Sequence, residues 1–159
     1  MYFDENVSRM ILNYRWAFIQ LAQYYYNSLK DSVRSAATLD RMEAVIPRSK
    51  VGLGWEMTTY IASFYHRLGR DERFREMAAE LEPVAKKMIA AGNVTMSSYD
   101  NPYSVLLEIY DARRDYKSML ALLHDLEGKF PGDPGIKQRI REIEALGNGS
   151  TPVTPDSSH

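Results

Sequence analysis

Three short stretches of the 159-residue chain decide its fold. Residues 18–25 read FIQLAQYY, residues 58–65 read TTYIASFY and residues 103–110 read YSVLLEIY. Each stretch spaces its apolar residues by three or four positions and ends in a tyrosine, which is the period of an amphipathic helix. The copies begin 40 and 45 residues apart, so we expect each of them to open one helical hairpin.

Helical periodicity also dominates the rest of the chain. It predicts seven helices, which we place at about 4–27, 33–46, 55–68, 71–91, 102–111, 116–130 and 134–146. Asp4 is the expected cap of the first helix and Asn101 or Asp100 that of the fifth, while Pro83 is expected to bend or split the fourth. Alternation typical of a strand never persists, so the predicted fold is all-α with consecutive antiparallel helix pairs. Residues 4–146 form the predicted helical domain, and residues 147–159 a disordered tail rich in Gly, Ser, Thr and Pro.

Composition narrows the function classes. The chain has no cysteine, which excludes disulfides, thiolate nucleophiles and cysteine-bound zinc. Its formal net charge is −1, so electrostatic binding to nucleic acid or to an anionic membrane is not expected. The longest uncharged run, Trp16 to Leu29, contains amides and is too short to span a bilayer. We therefore expect a soluble chain without a membrane span.

The three stretches resemble the tetratricopeptide repeat, in which an aromatic, a Leu, a small residue and a Tyr recur and a Pro closes the hairpin. Residues 103–134 match best, although Leu107 and Met119 stand where that family prefers small side chains. The resemblance implies an irregular tetratricopeptide-like array of about three antiparallel hairpins with a C-terminal capping helix. The alternative is a generic helical bundle, since such spacing is also typical of ordinary cores.

A second resemblance is to the helical C-terminal region of the DUF2723 family, large bacterial membrane proteins classed with protein O-glycosyltransferases. The segments that carry it are Asp4-Glu5-Asn6, Asn13-Tyr14-Arg15, Asp40-Arg41-Met42-Glu43, Phe64-Tyr65-His66-Arg67-Leu68-Gly69 and Asn101-Pro102-Tyr103. It implies a tail, periplasmic or cytosolic, that follows a multi-pass domain of an inner-membrane protein. It carries over no catalytic residue, because the family's active site would lie in the membrane portion.

We find no pattern of residues that indicates chemistry. His66, His124 and His159 are far apart in sequence and have no partner at metal-ligand spacing. The sequence also lacks a nucleophile elbow and a phosphate-binding glycine loop. We predict a chain that is not an enzyme, with no catalytic residue, no metal and no cofactor.

A polar surface is the remaining candidate. In an array of hairpins the first helices line the concave side, which we expect to bind a protein or peptide partner. The residues predicted there are Gln20, Gln23, Tyr26, Asn27, Tyr60, Ser63, His66, Arg67, Glu108 and Asp111. Carboxylate-clamp members of the tetratricopeptide family have Lys on this face, and the predicted set has none. Binding of a partner's C-terminal carboxylate would therefore depend on Arg67. The alternative is that these side chains are simply exposed.

The leading hypothesis is therefore a non-enzymatic protein–protein interaction module that uses this concave surface. The alternative is a soluble accessory domain of a DUF2723-like membrane-bound glycosyltransferase, which would recognise or position the acceptor protein.

Overall fold

The computed structural model describes residues 5–92, 94 and 99–148, and all regular secondary structure in them is α-helical. The helices are α1 (Glu5–Asn27), α2 (Ser32–Val45), α3 (Trp55–Arg67), α4 (Asp71–Ala90), α5 (Pro102–Ala112), α6 (Tyr116–Lys129) and α7 (Pro134–Gly147). The all-α prediction is confirmed, and the helix limits agree with the predicted ones to within a few residues.

Local sequence explains where most of these helices begin. Side-chain oxygens at the position before the helix accept hydrogen bonds from the first free amides of α2, α5, α6 and α7. The cap residues are Asp31, Asn101, Asp115 and Asp133. Of the two expected caps of α5, Asn101 and Asp100, the structure therefore has Asn101. Asp4, the expected cap of α1, lies outside the described residues, as do residues 93 and 95–98 of the predicted polar loop 92–101.

The turn between α3 and α4 depends on a glycine. Gly69 has a φ of +68°, which is the left-handed region that glycine enters without a steric penalty. Its amide donates to the carbonyl of His66 at 2.9 Å, so the last turn of α3 is closed at the residue that the sequence indicates.

Pro83 does not split α4, which continues as one helix from Asp71 to Ala90. A proline inside a helix removes one backbone hydrogen bond, but packing of buried side chains provides most helical stability in proteins. Leu81 and Ala85 are both buried, one on each side of the proline. We attribute the continuity of α4 to this burial.

Contacts divide the chain into two compact units, Met1–Leu81 and Glu82–His159, with the boundary inside α4. In the first unit α1 and α2 form an antiparallel hairpin. The Ser35 hydroxyl, near the start of α2, donates to the carbonyl of Ala22 late in α1 at 2.8 Å. At the other end, Arg15 donates to the carbonyl of Ile46 at 3.3 Å.

The helices of the next hairpin follow those of the first in parallel. Along α1 and α3, Gln23 contacts Tyr60 and, one turn further, the ring centroids of Tyr26 and Phe64 are 5.8 Å apart. Parallel packing also relates α2 to the part of α4 in this unit, since Asp40 pairs with Arg73. Beyond the end of α2, Arg48 pairs with Glu80, two turns further along α4. The first unit is therefore two hairpins stacked in the same orientation.

In the second unit, α5 and α6 form an antiparallel hairpin against which α7 packs. The hydroxyl of Tyr103, at the start of α5, donates to Asp125 near the end of α6 at 2.7 Å. Leu106, Met119 and Ile143 provide buried side chains from all three helices. Gly147 is the last residue of α7 and Asn148 its cap, while residues 149–159 of the predicted disordered tail lie outside the described residues.

Candidate functional site

The facing sides of α1 and α3 carry a cluster of aromatic and polar side chains, which we call the α1/α3 face. Its members are Trp16, Gln23, Tyr26, Tyr60, Phe64 and Arg67. All of them lie in the first unit. They share one face because they recur at three- and four-residue steps along each helix.

Aromatic contacts run the length of this face. The ring centroid of Tyr60 lies 6.2 Å from that of Trp16 and 6.1 Å from that of Phe64. Tyr26 meets Phe64 edge-on at 5.8 Å. Phe64 is fully buried, whereas Tyr26 and Tyr60 are half-buried and Trp16 is exposed. The face therefore has a buried aromatic floor and aromatic edges that remain open to a ligand.

Two polar groups flank the aromatic rings. The side-chain amide of Gln23 donates to the Tyr60 hydroxyl, so it orients that ring from the neighbouring helix. The Arg67 guanidinium carbon lies 5.1 Å from the centroid of Phe64, a cation–π distance. Arg67 is exposed, so its remaining donors can bind an acceptor on a partner. The combination suits a peptide, since it offers apolar area together with donors for backbone carbonyls.

The structure brings together four of the predicted surface residues, Gln23, Tyr26, Tyr60 and Arg67. Gln20 and Asn27 are exposed on α1 and continue the row of Trp16 and Gln23 at three- and four-residue steps. On α3, Ser63 is half-buried between Tyr60 and Arg67 in the same row. These three positions extend the α1/α3 face along its helices.

His66, another predicted member, lies apart from the face. Its ring centroid is 4.6 Å from that of Phe74 on α4, and its Nδ1 atom is buried without a hydrogen-bond partner among the described residues. Phe64 contacts α1, and His66 follows it by two residues, so the two side chains point about 200° apart around α3. The His66 ring therefore packs against α4, whereas the sequence analysis predicts it on the surface formed by the first helices.

Glu108 and Asp111 belong to α5 in the second unit, where Glu108 is half-buried and Asp111 exposed. Their spacing of three residues places them on one side of that helix. The second unit also contains an apolar groove of about 350 Å³, which neither of them lines. The residues that line it are Lys86, Ile89, Ala90, Leu106, Tyr110, Ser118, Ala121, Leu122 and Asp125.

Sequence reasoning missed Arg15, which is fully buried. Its guanidinium donates to the carbonyls of Gly52, at 3.1 Å, of Val51 and of Ile46, so it fastens the loop after α2 to α1. Burial lowers the pKa of Arg15 from its ordinary value, and Glu43 opposes part of that shift. A signal was present, because Arg15 falls on the apolar row of Ile11, Ile19 and Ala22, where a charge needs a buried partner.

Trp16 was missed for a different reason. It lies one turn before Gln20 on the predicted surface row, and only its contact with Tyr60 of α3 assigns it to the face. A long run of apolar and aromatic residues in α1 gives no sequence signal that separates a ligand-facing ring from a core ring.

Among the residues that the structure describes, no group of His, Asp and Glu side chains is arranged to hold a metal ion. None of the described helices combines the length and the apolar content that a membrane span needs. Comparisons of the chain with protein-family models, curated proteins and solved structures give no match. The tetratricopeptide and DUF2723 resemblances accordingly stay expectations based on sequence motifs.

Proposed function

We propose that the chain is a non-enzymatic protein–protein interaction module, built from tetratricopeptide-like hairpins, whose α1/α3 face binds an extended peptide segment of a protein partner. The observation that carries the proposal is the row of aromatic contacts from Trp16 through Tyr60 to Phe64, with Gln23 and Arg67 beside it. Exposed aromatic rings next to side-chain hydrogen-bond donors are typical of peptide-binding surfaces.

The arrangement of the first unit supports the hairpin part of this proposal. Its two hairpins stack in the same orientation, so their first helices lie side by side and present one continuous surface. The tyrosines that end the second and third repeat copies, Tyr65 and Tyr110, are both buried, as a common packing role requires. Stacked hairpins use such surfaces to hold extended segments.

Selection of ligands from a random linear peptide library, displayed on phage and panned on the full chain, tests the proposal. A synthetic peptide of the selected sequence is then titrated against the wild type and variants by fluorescence anisotropy. We expect Trp16→Ala and Arg67→Ala to weaken binding by about tenfold, the effect of losing one anchor or one charge-assisted contact. His124→Ala, an exposed site on α6, is the matched control.

The chain's tryptophans allow a direct readout of contact. It contains two, Trp16 and Trp55, so a Trp55→Phe variant leaves Trp16 as the single reporter. Peptide binding at the α1/α3 face should then shift the emission of Trp16 to shorter wavelength, because water is excluded from its exposed ring. If every selected peptide binds equally to Trp16→Ala and Arg67→Ala and leaves this emission unchanged, the proposed face is wrong.

A second candidate function rests on the motifs shared with the DUF2723 family. In this alternative the chain is a soluble accessory domain of a membrane-bound protein O-glycosyltransferase, and the same face recognises or positions the acceptor protein. Reading the genomic DNA upstream of Met1 tests it. An in-frame series of apolar segments of roughly 20 residues each would support it, whereas a stop codon with a ribosome-binding site would favour an independent adaptor.

A further inference from the structure

A second row of apolar side chains runs along α1 on the side away from α3. Its members, spaced by three and four residues, are Val7, Met10, Tyr14, Phe18, Leu21 and Tyr25, and we call this row the outer α1 stripe. Met10 is 54% exposed, Tyr14 60% and Leu21 44%. Tyr25 is two residues from Gln23 and therefore points about 200° away from it, so this stripe is distinct from the α1/α3 face.

The repeat pattern identifies the positions of α3 that correspond to this stripe. Leu21 corresponds to Ile61, which is 1% exposed, and Tyr25 corresponds to Tyr65, which is 2% exposed. The side chains are alike, but both positions of α3 are buried, and α2 of the first hairpin contacts Tyr65. The outer α1 stripe thus has the composition of a buried interface, yet three of its six members are exposed.

A carboxylate from the preceding hairpin completes the interface at α3. The Tyr65 hydroxyl donates to Asp40 Oδ1 of α2 at 3.1 Å, and the Nε atom of Arg73 lies 3.3 Å from the same oxygen. Arg73 is the third residue of α4. The Tyr and the Arg therefore come from one hairpin, and the acid that joins them comes from the second helix of the hairpin before it.

The first hairpin has a Tyr and an Arg at the corresponding positions, Tyr25 and Arg34. Arg34 is the third residue of α2, and its guanidinium carbon lies 6.0 Å from the centroid of the Tyr25 ring. Its ion pair is with Asp31 in the adjacent cap, at 3.4 Å and largely exposed. Among the described residues, no carboxylate of another helix reaches Tyr25 or Arg34. Arg41, one further exposed cation on this side of α2, adds to the positive rim.

We propose that the outer α1 stripe docks an amphipathic helix of a partner protein, with an Asp or Glu of that helix placed between the Tyr25 hydroxyl and the Arg34 guanidinium. The outer α1 stripe packs against the apolar face of the partner helix, and the exposed Arg34 and Arg41 favour a helix that carries acidic residues. A second copy of this chain is less suited, because its exposed helix α1 has no Asp or Glu after Glu5. Its Asp40 is already engaged at α3, and the apolar Ile140 and Ile143 of α7 are buried in its own second unit.

The helix α2 itself is the natural probe, because it covers the equivalent position of α3. A helix-stabilised synthetic peptide of residues 31–47, blocked at both ends, is titrated against the full chain by fluorescence anisotropy. We expect the peptide to bind, and its Asp40→Asn form to bind about tenfold more weakly, because one charge-assisted hydrogen bond and ion pair is lost. Added salt should weaken the parent peptide more than the Asn form.

Variants of the protein locate the site. Leu21→Asp should abolish peptide binding, and Arg34→Gln and Tyr25→Phe should each weaken it about tenfold. The matched controls are Tyr24→Phe on the same helix and Arg139→Gln, whose arginine makes a similar exposed pair with Glu142. Leu21 and Arg34 are exposed, so an unchanged thermal midpoint should verify that these variants fold. Trp16→Ala should leave this binding unchanged, which separates it from the proposed function.

Two results would overturn the inference. One is a parent peptide that does not bind, or that binds Leu21→Asp as well as the wild type. The other is a concentration-dependent dimer in sedimentation equilibrium that Leu21→Asp abolishes, since a second copy would then cover the outer α1 stripe in place of a partner helix.

Discussion

The helices α1 and α3 carry the same repeat pattern, yet their surroundings differ. In α3, Ile61 and Tyr65 are buried, whereas in α1 the corresponding Leu21 is exposed and Tyr25 half-buried. Instead, α1 buries a charged side chain on its inner side, Arg15, against backbone carbonyls. The comparison teaches that a repeat pattern determines what a helix can bury, while its place in the stack determines what it does bury.

The largest effect is expected at the inner side of α1. Arg15→Ala should lower the free energy of unfolding by about 4 kcal/mol, because it leaves a cavity and three carbonyls without their donor. Urea unfolding followed by circular dichroism measures the loss, with the exposed Arg9→Ala as control. A loss of less than about 1 kcal/mol, typical of surface sites, would show that Arg15 does not hold the loop 46–52.

The comparison of α1 with α3 is tested most directly by their tyrosines. Tyr65→Ala should cost about 3 kcal/mol, because a large buried side chain is removed. Tyr25→Ala should cost about 1 kcal/mol or less, because its ring is only half-buried. Both variants are measured by the same urea titration. Equal losses at the two sites would mean that α1 and α3 are covered alike and would contradict the described burial.

A smaller effect isolates the polar contact at Tyr65. Tyr65→Phe keeps the ring and removes only the hydrogen bond to Asp40, so it should cost about 1 kcal/mol. Asp40→Asn should lower the free energy of unfolding less in the Tyr65→Phe background than in the wild type, since the hydroxyl and the carboxylate share one interaction. Strict additivity of the two changes would show that the hydroxyl and the carboxylate do not interact.

The same tyrosine predicts a pH dependence. Burial, and next to it the charge of Asp40, raise the pKa of the Tyr65 hydroxyl above its ordinary value of 10.0. Because the folded-state pKa lies above the unfolded one, this contribution is complete below pH 10.0 and decreases as the pH rises beyond it. The alkaline loss of stability should therefore be less steep in Tyr65→Phe than in the wild type. Identical slopes would contradict the shift.

The smallest loss of stability is expected near Tyr110, the tyrosine that ends the third repeat copy. Lys86 lies 6.0 Å above the ring of Tyr110, and Glu82 pairs with Lys86 at 2.7 Å and with Arg113 at 2.6 Å. The hydrogen bond from Lys86, aided by that from Arg113, lowers the pKa of Glu82 below its ordinary 4.5. Glu82→Gln should cost about 0.5 kcal/mol, since the pair is partly exposed and screened by salt.

The sign of that pH effect follows from the lowered pKa. The contribution of Glu82 is complete above pH 4.5 and is lost as the pH falls through the lower folded-state value. The difference in unfolding free energy between wild type and Glu82→Gln should therefore vanish in acid and in high salt. A difference that persists under both conditions would come from packing and not from the ion pairs.

Much of the secondary structure could be predicted from local sequence. Apolar spacing, the cap at Asn101 and the left-handed Gly69 each act within a few residues, so they are readable without tertiary contacts. The continuity of α4 through Pro83 could not be predicted from local sequence, because we attribute it to the burial of Leu81 and Ala85 in the folded chain.

The candidate site shows the same division. Gln23, Tyr26, Tyr60 and Arg67 could be assigned to a common surface, because the repeat sets the register of α1 and α3. The contact of His66 with Phe74 could not be predicted in this way, because it depends on where α4 lies. Trp16 and Arg15 acquire their roles only from residues 31 to 44 positions later in the chain.

By itself, the sequence determined that this chain folds into amphipathic helices with a repeated Tyr, because helix formation and capping depend on neighbours within one or two turns. Only the tertiary structure decided which of those tyrosines is covered, where a buried arginine finds its carbonyls, and that Asp40 joins Tyr65 to Arg73. These outcomes depend on burial and hydrogen bonding between segments far apart in the chain, and similar local patterns at Tyr25 and Tyr65 do not encode that difference.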